Sequence, residues 1–282
     1  MKIILGTAQF GMKYGVNNQI GKIRESNAIE ILEYAFSNGI NEFDTASNYG
    51  NSEKIVGKFL GLKKGIKISS KISYSNLSLL EQTNNSLKNL RIEKLDKLIF
   101  HSFEIYKKFQ HQIPEFTSLY KGILFEKIGI STYTNKEIHD TLNDEYIDCI
   151  QTPYNLLDNS SLRNDIFLKI KSNKKEIDVR SIFLQGLFFK KINDLKGNLN
   201  LLKEPLIELN KLSIDFGFSI EEMAIGYVNQ KSIINKILIG VDSLSQLKRN
   251  IKIFEIKLPD QLIDKIDNIK VLNTTMLNPS NW

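Results

Sequence analysis

The chain has 282 residues, 41% of them hydrophobic and 25% charged, with a formal net charge of +6 and a pI near 9.1. That is ample apolar material for one core, and a single domain over residues 1–282 is the economical reading, since α/β barrels of about 250 residues fold as one unit. The lysines alternate with acids, with no basic run interleaved by aromatics and no apolar run of about 18 residues, so neither nucleic acid nor a membrane is the expected partner.

Ile3-Ile4-Leu5, stopped by Gly6-Thr7, reads as a buried strand that the amino terminus enters without a longer apolar leader, and a cytoplasmic location is expected. A glycine-rich loop to Gly21 follows. Ser26 is then placed to cap a helix with Ile29, Leu32 and Phe36 on one face, ended by Asn38-Gly39.

The pattern repeats along the chain. Strands are expected at Gly39–Asp44, Ile66–Ser70, Leu95–His101, Phe125–Ser131, Tyr146–Thr152, Ile177–Phe183 and Ile234–Gly240. Helices are expected at Ser52–Leu60, Leu77–Leu90, Tyr106–Leu119, Asn135–Leu142, Ser160–Lys171, Glu204–Phe216 and Ser243–Asn250. Ser219-Ile220-Glu221-Glu222 is a capping box that starts an additional helix through Tyr227, and Leu258-Pro259-Asp260 starts a last amphipathic one. Strand starts recur roughly every thirty residues, the size of a βα unit, and continuous apolar strands favour a closed (β/α)8 TIM barrel over an open sheet. The lone Cys149, within Ile147-Asp148-Cys149-Ile150, reads as a buried thiol rather than a nucleophile.

The chemistry gathers at strand ends. Phe43-Asp44 leads into Thr45-Ala46-Ser47-Asn48-Tyr49-Gly50, a third strand ends near Lys71 and a fourth at His101. A phenol with a pKa of about 10 is a poor proton carrier near neutrality unless a cation stabilises its phenolate and an acid holds that cation. Taken singly, each of these residues has an ordinary structural explanation: a loop cap, a solvated lysine, a buried imidazole, a packing aromatic. Their shared position at the active end of a barrel favours a functional set.

Asp44, Tyr49, Lys71 and His101 in this order, with Gly6-Thr7, Phe10-Gly11, Gly129-Ile130-Ser131, Gln151 and Tyr154-Asn155, resemble the aldo-keto reductase family from near residue 3 to about Asn250. The resemblance implies an NAD(P)H-dependent oxidoreductase that reduces an aldehyde or ketone, in which Tyr49 is the general acid, Lys71 and Asp44 lower its pKa, and His101 orients the carbonyl. It further implies an extended nicotinamide cofactor, held without a Gly-x-Gly-x-x-Gly turn. Gly6, Thr7, Ser131, Gln151, Arg180, Ser181, Gly240, Val241, Asp242, Gln246 and Asn250 are its expected contacts, and no metal is implied.

Three positions depart from the family pattern. Thr132 stands where an asparagine commonly follows the serine, and Arg180 where an aromatic often stacks on the nicotinamide; its guanidinium either stacks there or binds an acidic substrate group. Gln246 replaces a frequent arginine for the 2′-phosphate, and Asp242 either repels that phosphate or accepts from a free 2′-hydroxyl, although Lys248 and Arg249 are near in sequence to compensate. NADPH is kept as the expected cofactor on the family pattern, with NADH possible. The expected partner is a small carbonyl compound, with a sugar-like one among the candidates. Loop residues Phe10, Met12 and Tyr14 within Ala8–Ile20, the Tyr74 region, and Met276 and Trp282 are candidates to cover it. Two competing readings remain: a catalytically silent nucleotide-binding barrel with a regulatory role, and a lyase or isomerase using Lys71 as a Schiff base.

Overall fold

Runs such as Ile3-Ile4-Leu5 and Leu98-Ile99-Phe100 have no polar face to offer solvent, so as strands they must be covered on both sides. The computed structural model, which describes residues 2–18, 20–61 and 63–282, meets this need with a closed barrel of eight parallel strands in chain order. They are β1 (Ile3–Gly6), β2 (Glu42–Asp44), β3 (Lys67–Ile72), β4 (Leu95–Phe100), β5 (Phe125–Ser131), β6 (Cys149–Pro153), β7 (Glu176–Arg180) and β8 (Lys236–Gly240). The last strand closes onto the first, with Gly6 opposite Gly240. Met1, at the start of the expected first strand segment, and Gln19, within the expected loop, lie outside the described residues.

Among the described residues, twelve α-helices accompany the strands. In order they are α1 (Ala8–Gly11), α2 (Glu25–Ser37), α3 (Ser52–Leu60), α4 (Leu79–Leu90), α5 (Phe103–Phe109) and α6 (Ile113–Tyr120). Then follow α7 (Asn135–Thr141), α8 (Ser160–Ser172), α9 (Lys203–Phe216), α10 (Ile220–Asn229), α11 (Leu244–Ile253) and α12 (Asp260–Asn268). The Ser219–Glu222 capping box is present, and Ser78–Glu81 and Thr134–Glu137 form the same reciprocal arrangement. No described helix is long and apolar enough to cross a membrane.

Several boundaries differ from expectation for identifiable reasons. The helix expected over Tyr106–Leu119 is two, separated by a 3-10 turn at Gln110–Gln112, because Pro114 lacks an N–H and fits only the first turn of a new helix. Ser26 does not cap α2, which already begins at Glu25. The expected strand to Phe183 stops at Arg180, since Ser181, Leu184 and Gln185 all take positive φ. The carboxyl tail forms 3-10 turns, buries Met276, and ties Trp282 Nε1 to the Met276 carbonyl at 2.7 Å.

Two internal features set the stage for the mouth of the barrel. First, Gly11 and Gly50 abut: a Cβ on Gly11 would lie 1.6 Å from the Tyr49 carbonyl oxygen, and one on Gly50 would lie 2.4 Å from the Gly11 carbonyl oxygen. The short α1 thereby fixes the loop that carries Tyr49. Second, nearer the strand starts, buried Lys97 of β4 reaches across to Asp178 of β7 at 2.5 Å and to Glu176 at 3.0 Å. Cys149 Sγ donates to the same Asp178 oxygen at 3.3 Å, and burial pushes this thiol well above its ordinary pKa, so it is inert as a nucleophile. The Lys97 ammonium thus sits among the Cys149, Glu176 and Asp178 donor atoms, where a cation would otherwise be needed.

Removing one partner of a buried ion pair leaves the other uncompensated, at a cost of about 3–5 kcal/mol. Lys97→Met is expected to lower the denaturant midpoint by a corresponding amount, and adding Asp178→Asn to recover part of it. Equal midpoints for wild type and Lys97→Met in equilibrium unfolding would refute a structural role for the pair.

Candidate active site

The strand ends deliver the predicted polar residues to one mouth. Asp44 ends β2, Lys71 is the penultimate residue of β3, and His101 follows β4. Ser131 ends β5, Gln151 lies in β6 directly opposite it, Arg180 ends β7 and Gly240 ends β8. Tyr49 comes from the β2–α3 loop, in a turn where its N–H donates to the Ala46 carbonyl and its own carbonyl accepts from Ser52 N at 3.0 Å.

Asp44 and Lys71 are almost completely buried and form a short charge-assisted hydrogen bond. Lys71 Nζ also donates to the Thr45 carbonyl at 3.2 Å, and Gln151 Nε2 donates to the second Asp44 oxygen at 3.1 Å. Burial lowers the Lys71 pKa while Asp44 opposes the shift, and its ammonium is engaged by Asp44 and the Thr45 carbonyl. The ammonium stands 5.3 Å from the Tyr49 ring centroid.

Tyr49 Oη lies 3.4 Å from His101 Nε2, with the two rings edge to face at 5.4 Å between centroids. The phenol pKa is raised, first by burial and then by the Asp44 charge, against a smaller lowering by Arg180. This is opposite to the expected lowering: in the protein as described, Tyr49 is a firmly protonated donor. His101 is pulled down to about 3 by burial and by the positive charges of Lys71 and Arg180, so its imidazole is neutral, and Ser73 Oγ lies 3.5 Å from its other nitrogen.

Asp44, Tyr49, Lys71, Gln151, Arg180 and Ser181 line a cavity of about 410 Å³ together with Gly6, Thr7, Gly240, Asp242, Gln246 and Asn250, while His101 stands behind Tyr49 and is not part of the lining. Not every expected contact is available. The Ser131 hydroxyl accepts from Arg180 Nε at 3.2 Å and does not line the cavity, and Val241 is packed into the apolar core. Thr7 is fully buried, its hydroxyl bridging the Asp44 carbonyl and Ser52, so its role is to brace the β2 end. Gln246 Oε1 accepts from Asp242 N at 2.7 Å, which folds the loop after β8 onto the start of α11.

Of the loops expected to cover the site, Ala8–Ile20 does line the cavity, through Ala8, Gln9, Tyr14, Gly15, Asn17 and Asn18, although of the side chains singled out there and elsewhere Tyr14 alone, among the described residues, takes part. Phe10 is core, Met12 and Tyr74 point to solvent, and Met276 and Trp282 are engaged with each other in the tail. Tyr14 is instead joined by Gln9, Asn18, Gln185, Phe189, Glu221 and Arg249. Gln185 Nε2 donates to Tyr14 Oη at 3.2 Å, and Asn18 Nδ2 donates to Asp242 Oδ1 at 3.1 Å, so the β1–α2 loop spans the mouth. Nothing in the sequence pattern marks Glu221, which lies in a capping box and faces the cavity only because α10 packs beside α11.

Comparison with known proteins agrees with this geometry. The Aldo/keto reductase family profile matches residues 2–271. The chain is 24% identical to L-glyceraldehyde 3-phosphate reductase of Escherichia coli K12 over 80% of its own length and 79% of the relative's. It is 25% identical to a protein of Schizosaccharomyces pombe provisionally named a voltage-gated potassium channel subunit beta, covering 87% of this chain and 84% of that one. The holo form of aldo-keto reductase AKR11C1 from Bacillus halodurans superposes with a TM-score of 0.80, over 95% of this chain and 92% of that one, at 22% identity. With the family profile spanning almost its whole length and the fold in agreement, the chain belongs to the aldo-keto reductase family.

Proposed function

We propose that this chain is an NAD(P)H-dependent reductase of small aldehydes or ketones, with Tyr49 as the proton donor. The observation that carries the reading is that Tyr49, Lys71 and Asp44 line one cavity, with the protonated Tyr49 phenol backed by neutral His101 at 3.4 Å and standing beside the Lys71–Asp44 pair.

The cavity fits a nicotinamide dinucleotide on independent grounds. Gln151 Oε1 is a buried acceptor without a partner among the described residues, which suits the carboxamide N–H of a nicotinamide. Gly240 leaves room that a Cβ would take from the Gln9 side chain, at 2.8 Å. The Ser243-capped start of α11 offers backbone N–H groups and a positive helix end to a pyrophosphate. When bound, the reduced nicotinamide supplies hydride to the carbonyl carbon.

The residues then divide the remaining work. Negative charge grows on the carbonyl oxygen as hydride arrives, and Tyr49 gives it a proton; even a raised phenol pKa leaves this transfer favourable, because an alkoxide is a far stronger base than a phenolate. Lys71 lies beside the phenolate that results, and Asp44 keeps Lys71 protonated and in place. His101 cannot compete as an acid while neutral; it orients the carbonyl oxygen next to Tyr49. At the adenosine end Arg249 is the basic lining residue, and it is paired with Glu221. A 2′-phosphate must draw Arg249 away from Glu221, and it also meets Asp242 nearby, so NADPH is preferred only modestly over NADH.

Tyr49→Phe is expected to reduce aldehyde-dependent oxidation of NADPH by roughly 10²–10⁴-fold while nucleotide binding persists. Nucleotide binding without turnover in either protein would instead indicate a silent binding barrel. Glu221→Gln frees Arg249 and is expected to raise the ratio of kcat/KM for NADPH over that for NADH; an unchanged ratio would remove Arg249 from phosphate recognition. Because the folded-state pKa of His101 is depressed, the unfolded chain binds its proton first on acidification. The stability due to this group is complete above about pH 6.5 and is lost as the pH falls toward about 3. Stability measured from pH 6.5 to 4 is accordingly expected to fall less steeply in His101→Asn than in wild type, and parallel curves would contradict the neutral imidazole.

A further inference from the structure

At the carboxyl end of β7 the cavity wall carries a guanidinium that no carboxylate answers among the described residues. Arg180 Nε donates to Ser131 Oγ at 3.2 Å, Nη1 to Ser181 Oγ at 3.3 Å and Nη2 to the Thr132 carbonyl at 3.1 Å. Every one of these acceptors is neutral, and the remaining N–H groups have no acceptor among the described residues. The nearby Lys71 charge is cancelled by Asp44, so the Tyr49 end of the cavity keeps the Arg180 charge in excess. Its field reaches the reacting groups themselves: it acts on Tyr49, Tyr14, His101 and Lys71.

The side chain is also held rigidly. Its guanidinium lies 4.2 Å from the Tyr133 ring centroid, in a stacked cation–π contact. The backbone just beyond it is unusual: Ser181, Leu184 and Gln185 adopt positive φ without being glycine, and the segment is secured by Asn155 Nδ2 to the Ser181 carbonyl and by Val16 N to the Gln185 carbonyl. Strain of this kind persists where the surroundings over-determine it, and it gathers where a group must be positioned. A fixed planar fork with spare donors and an unbalanced charge is a receptor for an anionic oxygen group.

We propose that Arg180 is a specificity-determining residue that binds a carboxylate or phosphate group on the carbonyl substrate, so that the preferred substrates are anionic aldehydes or ketones. This rests on the reductase reading given above and deepens it. An anionic group drawn to Arg180 places its carbonyl among Tyr49, His101 and Lys71, whose fields it shares. The preference therefore appears mainly in KM, through binding, rather than in kcat.

The test uses matched substrate pairs, glyceraldehyde 3-phosphate against glyceraldehyde and succinic semialdehyde against butanal, with wild type, Arg180→Gln and Arg180→Lys. Wild type is expected to favour the charged member of at least one pair by about tenfold or more in kcat/KM, the equivalent of one charge-assisted contact. Preference within the phosphate pair alone, or within the carboxylate pair alone, identifies the group recognised. Arg180→Gln should bring the ratio close to one, and Arg180→Lys should keep part of it, as a point charge without the fork. Equal kcat/KM for charged and neutral partners in wild type, or a ratio that survives Arg180→Gln while nucleotide affinity drops, would overturn the proposal and make Arg180 a cofactor contact. Calorimetric titration of glycerol 3-phosphate and 4-hydroxybutanoate, with glycerol as the neutral control, reads the same site without turnover. Anion binding lost in Arg180→Gln supports the receptor even if no carbonyl is reduced, an outcome that would sink only the reductase reading. Equal anion binding by both proteins would sink the receptor.

Discussion

The Asp44–Lys71 pair is the constraint on which the mouth of the barrel depends. Taking a carboxylate and an ammonium out of water costs several kcal/mol for each ion, and the cost is offset only when their remaining donors and acceptors are also met. Here they are met from three strands: Lys71 by Asp44 and the Thr45 carbonyl, and Asp44 by Lys71 and Gln151. The same contacts that make burial tolerable also leave the ammonium little freedom to move, so its place beside the Tyr49 ring is fixed by the economics of desolvation rather than by a flexible reach.

Around that pair the electrostatics are lopsided in a useful way. Tyr49 stays protonated because burial and Asp44 oppose its ionisation, and His101 stays neutral because burial and two cations oppose its protonation. The groups closest to the proposed chemistry are therefore both uncharged hydrogen-bonding groups, set among fixed charges that do not need to rearrange as negative charge develops on a substrate oxygen. Arg180 takes part twice, by suppressing protonation of His101 and by occupying the Ser131 hydroxyl that family likeness would assign to the cofactor.

The barrel was readable from sequence because its signals are local: apolar runs of strand length at regular spacing, and capping residues such as Ser219 and Glu222. Asp44, Tyr49, Lys71 and His101 were readable as a set because each sits at or just beyond a strand end, where position on the fold follows from chain order. What escaped detection depends on contacts between distant segments. The cavity role of Glu221 exists only through the packing of α10 on α11, and that of Gln185 only because its backbone takes an uncommon conformation after β7. The Tyr49 pKa runs opposite to the sequence expectation because sequence supplies the neighbouring cation but not the depth of burial. The aromatics of the tail looked like a lid for the same reason, although Trp282 is bonded to its own segment.

The way the barrel closes has a consequence for how the protein is made. Gly6 of β1 finds its partner in Gly240 of β8, so the seam joins the barrel strand synthesised earliest to the one synthesised latest. At ribosomal speeds of about 5–20 residues per second, roughly tens of seconds separate their appearance. Throughout that interval β1 presents an unpaired apolar edge, and Lys97 has emerged without Asp178, its eventual counter-ion. Asp44 and Lys71, on adjacent strands, can meet early; the far wall, with Gln151, Arg180 and the pyrophosphate-side loop, cannot yet exist. A growing chain can therefore bring Asp44 against Lys71 well before the opposite wall of the cavity exists, and its unpaired edge is open to aggregation during that pause.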